Sequence, residues 1–258
     1  MKDFQTKKKF GQNFLTDGNL LNAICMDAGL TKNDEVLEIG PGMGALTEKI
    51  CEHAKKVESY EIDKDLIEIL QNKGFKNANF HFIDVLDVDL NEIEKDFQNE
   101  YKLVANIPYY ITTPIIFKFL GKSKKVKSMT MMVQKEVAER IVAQEGSKDY
   151  GILSVCCQMQ ADCSIKRIVK RNMFHPAPNV DSAIVHLDIK DTTMEEGFVE
   201  FVKNIFSMRR KTILNNLSSA YNISKEEVSK KLEVFDLTAR AEKLSIEEIK
   251  KLYEFFRK

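Results

Sequence analysis

From residue 35 to about residue 143, apolar stretches of strand length alternate with amphipathic stretches of helical period, which restricts the chain to an α/β architecture. EVLEIG (35–40) is a short strand, and PGMGALTEKICEHA (41–54) turns out of it into a helix. KVESYEID (56–63) is the next strand, and DKDLIEILQNKG (63–74) is a helix closed by Gly74. ANFHFID (78–84) is a third strand, followed by an acidic amphipathic helix from about 90 to 98. YKLVANIP (101–108) is a fourth strand, and TTPIIFKFLG (112–121) is a helix with Pro114 in its first turn. SMTMMVQKEVAERIVA (128–143) begins as a strand and becomes a helix, and LSVCCQMQADCSIKRIV (153–169) and SAIVHLDIK (182–190) read as further β-rich segments. A helix over 19–30 precedes them all. The expectation is a doubly wound, mainly parallel sheet over residues 1–190, including a basic N-terminal segment, 1–18.

Beyond 190 the pattern becomes helical only, with helices expected at 198–207, 210–220, 225–235 and 245–257. A small all-helical C-terminal domain over 191–258 is therefore expected. No apolar run approaches the roughly 18 residues that cross a bilayer. The basic N-terminus lacks the apolar core of a secretory signal, so the chain reads as cytoplasmic, with no membrane partner. Five cysteines form no CxxC pair and only four histidines are scattered along the chain, which argues for reduced thiols and no structural metal site. The 39 basic and 39 acidic residues cancel, but their distribution is uneven. Basic clusters fall at Lys7–Lys9, 121–127, 166–171 and 209–211, while acids gather at 84–96. Charge alone leaves two readings of these clusters open, solvated faces or a polyanion surface.

Chemistry concentrates at successive strand ends. Gly40, Gly42 and Gly44 follow the first strand of the alternation and lead into a helix, where a backbone without side chains lets a ligand approach. A tight turn alone would also account for them. The next strand ends in Glu61, a carboxylate suited to the two hydroxyls of a ribose. The third ends in Asp84, which can accept from an adenine amino group while Val85 or Leu86 packs on the ring. No P-loop lysine is present. The fourth strand runs into NIPYY (106–110). The Asn106 side-chain carbonyl and a backbone carbonyl at Ile107 or Pro108 can both accept from an exocyclic amino group, and Tyr109 or Tyr110 offers a stacking face for a base. Phe174, ahead of two prolines, is a candidate second aromatic wall, whereas His175 reads as loop structure because the chemistry needs no strong base.

Taken together, KKKFGQNFL, EIGPGMGALT, EID, NIPYYITTPI, MVQKEVAERI, YGILSV, FHPAPNVDSAIVHL and RRKTILNNL resemble, in order and over residues 7–217, the KsgA/RsmA family of small-subunit (16S) rRNA adenine dimethyltransferases. The resemblance implies a Rossmann-like domain that binds S-adenosylmethionine, and a small helical C-terminal domain that binds RNA. It further implies N6,N6-dimethylation of two adjacent adenosines near the 3′ end of 16S rRNA in the immature 30S subunit, by a monomer. Carried over by residue, the cofactor contacts fall on Gln12, Asn13, Leu15, Gly40, Gly42, Glu61, Asp84, Val85 and Asn106, and the target-adenine site on Asn106, Pro108, Tyr109 and Phe174. RNA phosphates would be gripped by Arg209, Arg210 and Lys211. Many relatives carry Asn where this chain has Tyr110, so no catalytic role is assigned to that residue. Two alternatives are an Erm-type 23S rRNA methyltransferase, which shares the NIPY and QNFL blocks, and a mainly non-catalytic assembly factor. The RRKT pattern favours the first family over Erm, and the intact Asn106 argues against a purely structural role.

Overall fold

The structure is a computed structural model that describes residues 14–192 and 194–257. The elements run β1 (Phe14–Leu15), α1 (Gly18–Asp27), β2 (Glu35–Ile39), α2 (Ala45–His53), β3 (Lys56–Tyr60), α3 (Ile67–Asn72), β4 (Ala78–His81), α4 (Leu90–Lys95), β5 (Tyr101–Asn106), α5 (Thr112–Phe119), β6 (Val126–Gln134) and α6 (Lys135–Val142). They continue with α7 (Ile152–Gln160), β7 (Ala161–Val169), β8 (Phe174–His175), β9 (Ser182–Ile189), α8 (Phe198–Ile205), α9 (Ile213–Tyr221), α10 (Lys225–Lys231) and α11 (Ile246–Phe256). A seven-stranded sheet has the order β4-β3-β2-β5-β6-β9-β7. The pairs β3/β4, β2/β3, β2/β5 and β5/β6 are parallel, and β9 joins β6 antiparallel. This is the expected doubly wound α/β fold. Its order reverses beside β2, because β3 and β5 flank that strand, and such a reversal opens a crevice at the carboxyl ends.

The chain divides into two compact units. One takes the described residues up to Ala138 together with Asp162–Lys190, and the other takes Glu139–Ala161 and the residues from Asp191 onward. The units divide between Lys190 and Asp191, and a second stretch, 139–161, also clusters with the helical unit, so the first unit is not continuous in sequence. Its centre is α7, which runs over 152–160 where a strand had been expected. A short apolar run such as LSVCC has no periodicity that separates a buried strand from a buried helix. Here packing decides: Ser154, Val155, Cys156, Cys157 and Gln160 are all buried. In the same unit Tyr150 donates to the Leu244 carbonyl (3.0 Å) and meets the Phe206 ring edge-on. Ser245 and Glu248 form a capping box at the start of α11.

Central β2 is buried along its whole length, yet it carries two glutamates. Glu35 is satisfied by the Gln98 amide (2.9 Å) and by Lys55 (3.5 Å). Glu38 is wholly buried, and its Oε2 accepts from Thr47 on α2 (2.8 Å) and from Ser59 on β3 (2.7 Å). Its Oε1 has no hydrogen-bond partner among the described residues. Burial pushes the carboxyl up from its ordinary 4.5 to about 7, the two hydroxyls opposing the shift and the charge of Glu61 adding to it.

The native state therefore keeps the Glu38 proton over a range in which the unfolded chain has lost it. Stability falls as pH rises from about 4.5 to about 7 and is level above, with a contribution on the order of a few kcal/mol. Glu38→Gln keeps an acceptor for Thr47 and Ser59 without the titration. Its thermal midpoint is expected to change less than the wild type's between pH 5 and pH 8. An undiminished pH dependence in the variant would assign the fall to other groups.

Candidate active site

The carboxyl ends of β2, β3, β4 and β5 open into one cleft of about 1170 Å³, counted out to solvent. Of the positions singled out from sequence, Leu15, Gly40, Gly42, Glu61, Asp84, Val85, Asn106, Pro108, Tyr109 and Phe174 all line it. Gln12 and Asn13 lie outside the described residues.

The loop after β2 carries its glycines in the left-handed region, with φ of +72° at Gly40 and +57° at Gly42. A Cβ at Gly42 would lie 3.0 Å from the Phe14 ring, and one at Gly40 would meet the Asn106 carbonyl at 3.6 Å. Glu61, only 6% exposed, holds this loop in place: Oε2 accepts from the Gly42 amide (3.0 Å) and Oε1 from the Asp63 amide (2.9 Å). Burial raises the Glu61 pKa and the two amides oppose the rise. At the next strand end Asp84 Oδ1 accepts from the Leu86 amide (2.9 Å), which fixes the carboxylate at the cleft wall, and Val85 is buried beside it.

Asn106 is the last residue of β5, and Pro108 follows in extended geometry before a single 3₁₀ turn over Tyr109–Ile111. That turn uses the Pro108 carbonyl, which accepts from the Ile111 amide (3.1 Å). Of the two backbone carbonyls left open by the sequence, the one at Pro108 is thus engaged in the turn. The Tyr109 hydroxyl lies 2.7 Å from the hydroxyl of Ser182, which is fully buried at the start of β9. Burial raises the Tyr109 pKa, and the Ser182 hydrogen bond opposes it. Phe174 is 5% exposed and sits in β8, which pairs antiparallel with β1 and sets Leu15 opposite Phe174.

Sequence reasoning missed several residues of this cleft. Phe14 and Tyr60 belong to it by packing alone, and Ser182, which holds Tyr109 from behind the lining, is 73 positions away from that partner. Ile62 and Ile83 could have been found, since each adjoins an acidic strand end already identified.

Arg209, Arg210 and Lys211 are exposed on the helical unit, in the turn before α9 rather than inside its first turn. Thr212 caps that helix, and buried Asn216 holds the turn by accepting from the Met208 amide (3.1 Å) and donating to the Ile205 carbonyl (2.9 Å). Arg209 donates to the Lys148 carbonyl (2.6 Å) and lies 3.6 Å from Glu242, so part of its bonding capacity is used within its own unit. Other basic clusters are likewise partly structural. Lys125 donates to the Glu94 and Phe97 carbonyls, Arg167 pairs with Asp27, and Lys170 pairs with Asp181.

The profile of the family described as ribosomal RNA adenine dimethylase matches residues 3–258. The ribosomal RNA small subunit methyltransferase A of Clostridium acetobutylicum is 43% identical over 97% of this chain and 93% of its own length. Among solved structures, a dimethyladenosine transferase from Plasmodium falciparum superposes with a TM-score of 0.78 at 28% identity, covering 95% of this chain and 98% of that one. The 23S rRNA methyltransferase ErmE superposes with a TM-score of 0.68 at 27% identity, covering 95% and 100%. A match along nearly the whole chain, with a full-length relative at this identity, makes the chain a member of the ribosomal RNA adenine dimethylase family of methyltransferases.

Proposed function

We propose that this enzyme dimethylates N6 of two adjacent adenosines near the 3′ end of 16S rRNA in the immature small subunit, as a cytoplasmic monomer using S-adenosylmethionine. The observation that carries this reading is the convergence of Asn106, Tyr109 and Phe174 on the cleft that also contains the glycine loop, Glu61 and Asp84. The small-subunit relative is 43% identical, against 27% for the 23S enzyme ErmE, which favours 16S over 23S rRNA.

The residues present fit the cofactor. A loop whose Gly40 and Gly42 hold the left-handed conformation, with the Phe14 ring only 3.0 Å from where a Gly42 Cβ would lie, gives a bare backbone cradle, and a buried carboxylate at Glu61 suits vicinal hydroxyls. Asp84 and Val85 would take the amino group and the face of its purine. When bound, S-adenosylmethionine supplies an electrophilic methyl group on a sulfonium. The chain's own residues prepare the other reactant. Adenine N6 is a weak nucleophile because its lone pair is conjugated into the ring. The Asn106 side-chain oxygen and the Ile107 carbonyl accept its two hydrogens, favour a pyramidal nitrogen and stabilise the positive charge that develops there. Pro108 fixes the direction of the backbone at this point. A base turned out of its helix stacks on Tyr109 and Phe174, whose orientations are set by Ser182 and by the β1/β8 pairing. The alkylated nitrogen is acidic and releases its proton without a dedicated base.

Methyl transfer from labelled S-adenosylmethionine to immature 30S subunits, naked 16S and naked 23S rRNA, with the modified position mapped, tests the assignment. Label at adjacent 16S adenosines is expected, and label in 23S rRNA alone would overturn the choice of substrate. In the same assay Asn106→Ala is expected to lose about a hundredfold or more in rate, with a smaller loss of cofactor affinity. A double-mutant cycle between Ser182→Ala and Tyr109→Phe should give a coupling energy on the order of 1 kcal/mol in unfolding, because each change removes the same hydrogen bond. Additive losses would mean that Ser182 does not hold Tyr109. On the helical unit, Arg210→Ala with Lys211→Ala should weaken RNA binding and reduce the salt slope by roughly one to two units. Arg209→Ala should have the smaller effect on that slope. Slopes equal to wild type would take the 209–211 turn off the RNA path.

A further inference from the structure

Tyr110 stands apart from its neighbour. Its side chain is 58% exposed, yet it lines the cleft. Among the described residues eleven large apolar or aromatic side chains are exposed, and four of them, Met43, Ile62, Ile83 and Tyr110, line this one cleft. Exposed apolar groups gathered on one rim mark a surface that a ligand covers. Ile62 follows Glu61 at the end of β3, Ile83 precedes Asp84 beyond β4, and Tyr110 comes from the turn after β5. The strand order puts β2 and its glycine loop between β3 and β5, so apolar groups border the loop from two sides. Tyr110 shares the cleft lining with Asp84 and Glu61, and partial burial raises its pKa, the charges of Asp84 and then Glu61 adding to the rise.

We infer that the Tyr110 ring, with Ile62 and Ile83, forms the outer wall of the site for the purine of the adenosyl cofactor, closing over the nucleoside whose hydroxyls and amino group face Glu61 and Asp84. The inference rests on the cofactor reading proposed above and adds to it a cofactor-retaining role for Tyr110. The occupant follows from the chemistry of the rim. A flat heteroaromatic ring gains from stacking on a phenol and from burial against two isoleucines, while the two carboxylates supply acceptors at its polar edge. They also disfavour a phosphate, and so a flanking nucleotide of the RNA is the poorer fit at this position. The phenol hydroxyl is not required, since the contact is through the ring face.

Calorimetric titration of the full-length protein with S-adenosylhomocysteine, without RNA, tests this directly. Tyr110→Ala is expected to bind roughly tenfold more weakly, in keeping with the loss of one stacking face. Tyr110→Phe is expected to stay within about twofold of wild type, and Tyr110→Asn to resemble the alanine variant. Ligand-induced shifts of the thermal midpoint give a second readout, and the midpoints without ligand show whether each variant is folded. Wild-type affinity in folded Tyr110→Ala would overturn the inference, as would an rRNA-fragment affinity that falls while cofactor affinity is unchanged. A wild-type protein that binds neither S-adenosylmethionine nor S-adenosylhomocysteine would instead overturn the cofactor reading itself.

Discussion

The buried carboxyl of Glu38 joins the three elements on which the cleft is built. It lies in β2, its oxygen takes hydroxyls from α2 and β3, and the glycine loop runs between β2 and α2. A charged group with so little solvation would be costly, so the favourable state of this link is the neutral acid. The cost is tolerated because a polar tie has direction. An apolar residue at this position would fill the space but would leave the Thr47 and Ser59 hydroxyls buried without an acceptor. The loop thus emerges from β2 with its neighbours already fixed.

The two buried carboxylates at the head of the cleft divide their work electrostatically. Glu61 is hydrogen-bonded by two backbone amides and lines the cleft, whereas Glu38 has only hydroxyl donors and no exposure. Two anions at close range in a poorly solvated site repel each other, and the charge on Glu61 raises the pKa of Glu38. The site therefore sustains one negative charge more readily than two, and the amide donors direct it to Glu61, where a ligand can use it. That order follows from the donors alone and needs no ligand to establish it.

Much of this was legible in the sequence because the pertinent signals are local. A strand end, an acid at that end and a glycine turn lie within a few residues of each other, so Gly40, Glu61, Asp84 and Asn106 could be located before any coordinates. What was not legible depends on contacts between distant segments. Nothing around Ser182 signals that it meets Tyr109, and nothing in the basic turn at 209–211 signals that Arg209 spends donors on Lys148. The helix at 152–160 was misread for a related reason: an apolar run short enough for a strand takes its conformation from what it packs against. Residues 139–161 belong to the helical unit through contacts with partners nearly a hundred positions later, such as Tyr150 with Leu244.

The two adjacent tyrosines illustrate how local geometry can separate roles that composition cannot. In a 3₁₀ turn successive side chains are about 120° apart, so Tyr109 and Tyr110 cannot point the same way. One is drawn inward, its hydroxyl held by a buried serine. The other is left at the rim, with two acids in the same lining and no interior to occupy. A ring with a fixed hydroxyl suits a face that must be in place before a base arrives. A ring at the mouth suits a wall that is completed by its ligand. The shared turn means that the two surfaces are built on one short segment following Asn106. Any change in how Pro108 sets that segment would therefore move the inner face and the outer wall together.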